Sequence, residues 1–114
     1  GPRGALVRFA RPLGQAFQVR DDLEEDAPEA SATVLLALAR EGASEEELAA
    51  LDRAAWDPEA AAGARTIVEA RGARARARAL LEGLVAQAIA ALEGAALDPE
   101  ARGALGRIAR ALLP

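Results

Sequence analysis

Residues 13–26 read Leu-Gly-Gln-Ala-Phe-Gln-Val-Arg-Asp-Asp-Leu-Glu-Glu-Asp. Three carboxylates in this run, Asp21, Asp22 and Glu25, have helical spacing. Asp21 and Glu25 are i,i+4 and Asp22 and Glu25 are i,i+3, so one helix face can gather all three. Phe17 and Gln18 lie one turn earlier. Adjacent carboxylates repel and resist joint ionisation when buried, and a bound cation removes that difficulty. Hard divalent cations take oxygen ligands, and Mg²⁺ is usually held by one or two carboxylates completed by substrate phosphates. Asp21, Asp22 and Glu25 are therefore the candidate metal ligands. The Gln18 amide is placed to hydrogen-bond a diphosphate. Arg20, beside the acids, is either a second diphosphate contact or an ion-pair partner. The plainer reading of the same residues is a solvated acidic patch at a helix C-terminus, where the macrodipole disfavours negative charge.

The run resembles the second aspartate-rich motif of the trans-polyprenyl diphosphate synthases, L-G-x-A-F-Q-x-x-D-D-x-x-D. Seven of its eight fixed positions match: Leu13, Gly14, Ala16, Phe17, Gln18, Asp21 and Asp22. The departure is Glu25, where the family usually has Asp. Further on, Thr33-Val34-Leu35-Leu36-Ala37-Leu38 is similar to the helix that follows this motif in the family. Ile67-Val68-Glu69-Ala70-Arg71-Gly72-Ala73 is similar to the stretch before its penultimate long helix. The likeness is specific at 13–25 and diffuse afterwards, where Ala-rich helices match many proteins.

The resemblance implies an all-α fold, the C-terminal portion of an isoprenoid-synthase-like bundle, as one domain over 1–114. The motif occupies 13–26 and the C-terminal helices 28–113. It implies a parent activity in which isopentenyl diphosphate condenses with an allylic diphosphate, with Mg²⁺ assisting ionisation. It further implies isoprenyl diphosphates as ligands and a homodimer or helical partner. Family members are usually about three times this length. They carry a first aspartate-rich motif and N-terminal basic residues that this sequence lacks, and a longer segment where only Asp26 to Ala32 stand here. Two metal clusters neutralise the leaving diphosphate in such chemistry. The expectation is that this chain does not turn over alone, and no residue is assigned as catalytic. The alternative is a non-catalytic helical interaction module built from the same helices.

Composition narrows the classes. The net charge is −4 and aromatics make up 3% of the chain, which argues against nucleic-acid binding. There is no Cys and no His, so thiolate sites, disulfides and His-based acid–base chemistry are excluded. No apolar run is long enough to span a bilayer, and the default compartment is the cytoplasm. Ala supplies most of the apolar content, so the core needs close helix–helix approach.

The elements that must position these residues are all helices, because β-branched residues are scarce and no apolar/polar alternation occurs. The first runs from about Gly4 to Glu25, with Leu6, Phe9, Leu13 and Phe17 as its apolar stripe and a kink at Pro12. The second covers Pro28 to Arg40, burying Val34, Leu35 and Leu38 and stopping at Gly42. Ser44 with Glu47 forms a capping box for a helix over Glu45–Ala55. Asp57-Pro58-Glu59 and Asp98-Pro99-Glu100 are N-cap signatures for two more. Between them a long helix spans Ala73–Glu93 with Leu81, Leu84, Val85, Ala88 and Leu92 on one stripe. Leu105, Ile108, Ala109 and Leu112 make the last stripe. Trp56, the sole Trp, is expected to cover a core end or an interface, and Arg71, Arg74, Arg76 and Arg78 to form a solvated face.

Overall fold

The computed structural model of the chain describes residues 2–24 and 33–114. Among them it forms α-helices α1 (Pro2–Glu24), α2 (Thr33–Glu41), α3 (Glu45–Ala54), α4 (Ala61–Ala70), α5 (Ala73–Glu93) and α6 (Pro99–Arg110), with a 3₁₀ turn at Pro58–Ala60. No strand occurs among the described residues, as expected of an all-α chain. Glu25 and the expected helix start at Pro28 lie outside the described residues. No helix among those described is long and apolar enough to cross a membrane.

The contacts divide into two compact units, Gly1–Arg20 with Ala79–Pro114, and Asp21–Arg78. In the second, α2, α3 and α4 pack on one another. Leu35, Ala39, Leu51, Ala64 and Val68 are buried there, as are Ala73 and Ala77. The local signals that set these helices are simple. The Ser44 hydroxyl accepts the Glu47 N–H, and the Glu47 carboxylate accepts the Ser44 N–H, closing the expected capping box. Asp57 accepts the Glu59 N–H and starts a 3₁₀ turn before α4 begins at Ala61. Between α4 and α5 the chain turns at Gly72, whose φ of 63° lies in the left-handed region that side chains resist.

In the other unit the buried side chains come from α1, α5 and α6, with Ala95 and Leu112 just beyond the ends of α5 and α6. Leu81, Leu84, Val85, Ala88 and Leu92 are all buried, as their helical spacing predicts. Asp98 accepts the N–H groups of Glu100 and Ala101 and opens α6, with Pro99 in the first turn.

Several packing expectations are corrected. In α2 only Leu35 of the expected Val34, Leu35 and Leu38 is buried, and the other two are half-buried. The buried stripe of α1 is Ala5, Phe9, Pro12, Ala16 and Val19, whereas Leu6 and Phe17 are 43% and 45% exposed. Both rows have helical spacing, and they lie about 100° apart around the helix. Small side chains win the buried row because alanines allow close approach. Ile108 is likewise exposed while Ala109 and Leu112 are buried. Of the two roles expected for Trp56, a core end or an interface, its 75% exposure removes the first. Pro12 stays inside α1 without ending it.

Candidate functional site

The paired acids of the motif sit at the end of α1, and the fold treats them differently. Asp21 is exposed. Asp22 is 5% exposed, and its Oδ2 accepts the backbone N–H of Val34 at 2.7 Å. Val34 is the second residue of α2, so its N–H is one of the amides a helix start leaves without an intrahelical acceptor. A carboxylate there satisfies the amide and meets the positive end of the helix dipole. Caps of this kind stabilise by about 0.5–2 kcal/mol. Asp22 is thus a cap delivered from a distant helix.

The other expected site residues lie along the same helix. Gln18 is exposed three positions before Asp21, and Arg20 is half-buried. The third expected ligand, Glu25, is outside the described residues. Among the described residues no group of three His, Cys, Asp or Glu side chains is gathered in metal-ligating geometry.

The basic stretch was expected to be a solvated face; Arg71 and Arg76 are exposed as expected and Arg74 is half-buried, and these three also make specific contacts. Arg74 donates from Nη1 to the Leu23 carbonyl at 3.1 Å and pairs through Nε with Glu69 at 3.1 Å. Arg76 donates from Nη1 to the Leu38 carbonyl at 2.8 Å and pairs with Glu41. Leu23 and Leu38 lie in the last turns of α1 and α2, where carbonyls lack intrahelical partners and a cation suits the dipole. Arg71 grips Glu47 with Nε and Nη2, and Arg40 pairs with Asp52. The Arg71 hydrogen bonds, followed by the Ser44 N–H, hold the Glu47 carboxyl at about 2, down from the usual 4.5. The same contact raises the Arg71 guanidinium. Arg78 is exposed.

Asp22, Arg74 and Arg76 therefore serve helix ends in the unit Asp21–Arg78: one N-terminus and two C-termini. Sequence reading missed these tertiary caps. Capping of a neighbouring residue leaves a short-range signature, as Ser44 and Asp98 do, whereas a cap from a distant segment leaves none. No family model matches the chain, and searches of curated proteins and of solved structures find no match either.

What remains for ligand chemistry is the exposed side of this run. Asp21 is exposed and lies at the start of the unit Asp21–Arg78. One carboxylate is the least that Mg²⁺ takes from a protein when phosphates complete its shell.

Proposed function

We propose that this chain is a helical domain of the trans-prenyltransferase type, binding isoprenyl diphosphates through Mg²⁺ held by Asp21 and Glu25. The observation that supports it is the division of labour within the motif. Asp22 is committed to the start of α2, and Asp21 is left exposed. Asp21 would ligate the metal, with Glu25 as a further ligand. Gln18 would donate its amide hydrogens to diphosphate oxygens, and Arg20 would add positive charge for the same group. Mg²⁺, when bound, supplies the charge neutralisation that lets a diphosphate leave. A homodimer or helical partner belongs to this reading.

The test is calorimetric titration of the chain with pyrophosphate and with a bisphosphonate, with and without Mg²⁺. The reading requires binding that needs Mg²⁺ and is lost in Asp21→Ala. A second reading, a non-catalytic interaction module, is favoured by one observation: a buried carboxylate of the motif already serves the fold. It requires that neither titrant binds under either condition.

A further inference from the structure

Away from the carboxylate run, the unit containing α5 and α6 has a cleft of about 290 Å³ between these two helices. That is at the small end of the range for ligand sites, about 300–1,000 Å³. Its apolar walls are Ile89, Leu92 and Pro99, and its charged lining is Arg102, Arg110 and Glu93.

The two arginines line the cleft without a paired carboxylate. Neither is within ion-pair distance of a carboxylate among the described residues, unlike Arg40, Arg71, Arg74 and Arg76. Arg102 donates through Nη2 to the carbonyls of Ala95 and Leu97, at 3.0 and 3.1 Å, which anchors it at the turn into α6. Its Nε is buried and has no hydrogen-bond partner among the described residues. That atom has no access to the cleft, so what Arg102 offers a ligand there is its positive charge. Arg110 bends back across Gly106. A Cβ at Gly106 would stand 3.1 Å from Arg110 Nη1 and 3.8 Å from its Cζ. Glycine at 106 therefore gives the guanidinium its seat at the cleft. Gly103 also lines the cleft, one turn from Gly106. Two glycines so close in a 12-residue helix weaken its intrinsic propensity, and here they keep side-chain bulk out of the cleft. The surrounding unit has seven arginines, Arg3, Arg8, Arg11, Arg20, Arg102, Arg107 and Arg110, against four acids, Glu82, Glu93, Asp98 and Glu100. An anion approaching it meets a favourable field although the whole chain is acidic.

We propose that this cleft binds a small amphiphilic anion, a carboxylate or phosphate ester with a short apolar body. The body lies against Ile89, Leu92 and Pro99, and the head group takes hydrogen bonds from Arg110 and the charge of Arg102. Guanidinium forks suit both head groups. Glu93 sets the opposite sign at the rim and disfavours ligands of higher negative charge. This site is independent of the Mg²⁺ reading above.

The test is a ¹H–¹⁵N NMR titration of the whole chain, in the absence of Mg²⁺, with hexanoate and with hexyl phosphate. Hexanol, inorganic phosphate and hexylamine are the controls. The proposal requires saturable shifts of the Gly103 and Gly106 amides with at least one of the two anions. A response to one anion alone assigns the head group, carboxylate or phosphate. Arg110→Ala, an exposed position whose fold is checked by circular dichroism, should weaken that binding by about tenfold or more. Asp21→Ala should leave it unchanged. The proposal is overturned if neither anion shifts these amides, if hexanol or hexylamine binds as well as the anions, or if Arg110→Ala binds undiminished.

Discussion

The Oδ2 atom of Asp22 lies 2.7 Å from the backbone nitrogen of Val34, twelve residues further along the chain. A residue whose spacing suggests metal ligation is thereby a helix cap, and its neighbour Asp21 is not. The two acids should respond in opposite ways to truncation. Asp22→Ala leaves an amide without its acceptor in a part-buried place and should lower stability by about 1–3 kcal/mol. Asp21→Ala, at an exposed position, should stay within about 0.5 kcal/mol of the parent. Urea unfolding of both variants measures the difference. Equal effects would remove the distinction between the two carboxylates.

The Arg76 contacts can be separated by the same approach. Arg76→Ala removes both the hydrogen bond to the Leu38 carbonyl and the pair with Glu41, whereas Glu41→Ala removes only the pair. The pair is exposed, and such pairs contribute about 0–1 kcal/mol. The bond to a helix-end carbonyl adds about 0.5–1.5 kcal/mol. Arg76→Ala should therefore be the more destabilising of the two, and the gap between them should survive added salt, which screens the exposed pair. A gap that closes in salt would assign the whole effect to the ion pair.

The pH dependence near the acid end should carry the mark of Glu47. Its carboxyl titrates at about 2 in the folded chain, against 4.5 ordinarily, because Arg71 and the Ser44 N–H favour the charged form. A depressed carboxyl stabilises the fold fully above the unfolded value, and that contribution fades as pH falls from about 4.5 towards 2. Thermal midpoints should fall across this window. In Glu47→Gln the fall should be shallower, since the amide has no charge to lose. Both side chains reach solvent, so the difference should shrink at high ionic strength. A Glu47→Gln profile parallel to the parent between pH 4.5 and 2 would contradict the assignment.

Much of the helix pattern was legible in the residues. Ser44 with Glu47, Asp57 and Asp98 each satisfy amides within three positions, so their signatures are local; the starts of α3 and α6 followed from them, whereas Asp57 opens only the 3₁₀ turn before α4. The stripe of Leu81, Leu84, Val85, Ala88 and Leu92 was legible because one helix repeats its spacing over several turns. What was not legible depends on choices between two adequate rows. On α1 the larger side chains Leu6 and Phe17 looked like core, yet Ala5 and Ala16 are buried, because closeness between helices favours small residues over large ones. The carboxylate run shows the same limit. Spacing tells which acids share a helix face, and it carries no information on whether another helix start arrives to use one of them.

Glycine positions give the sharpest contrast between backbone and packing effects. Gly72 and Gly83 both have open space where a Cβ would stand, so neither is held by a neighbouring atom. They differ in conformation alone. Gly72 has φ of 63°, between α4 and α5, where an L side chain is strained. Gly83 lies inside α5, where glycine loses more chain entropy than alanine. Gly72→Ala should therefore lower stability by about 1–2 kcal/mol, and Gly83→Ala should raise it by about 0.5–1 kcal/mol. Thermal and urea unfolding of the two variants against the parent provide the check. Because no contact changes in either case, effects of the same sign would mean that the turn at Gly72 does not adopt a left-handed conformation in solution.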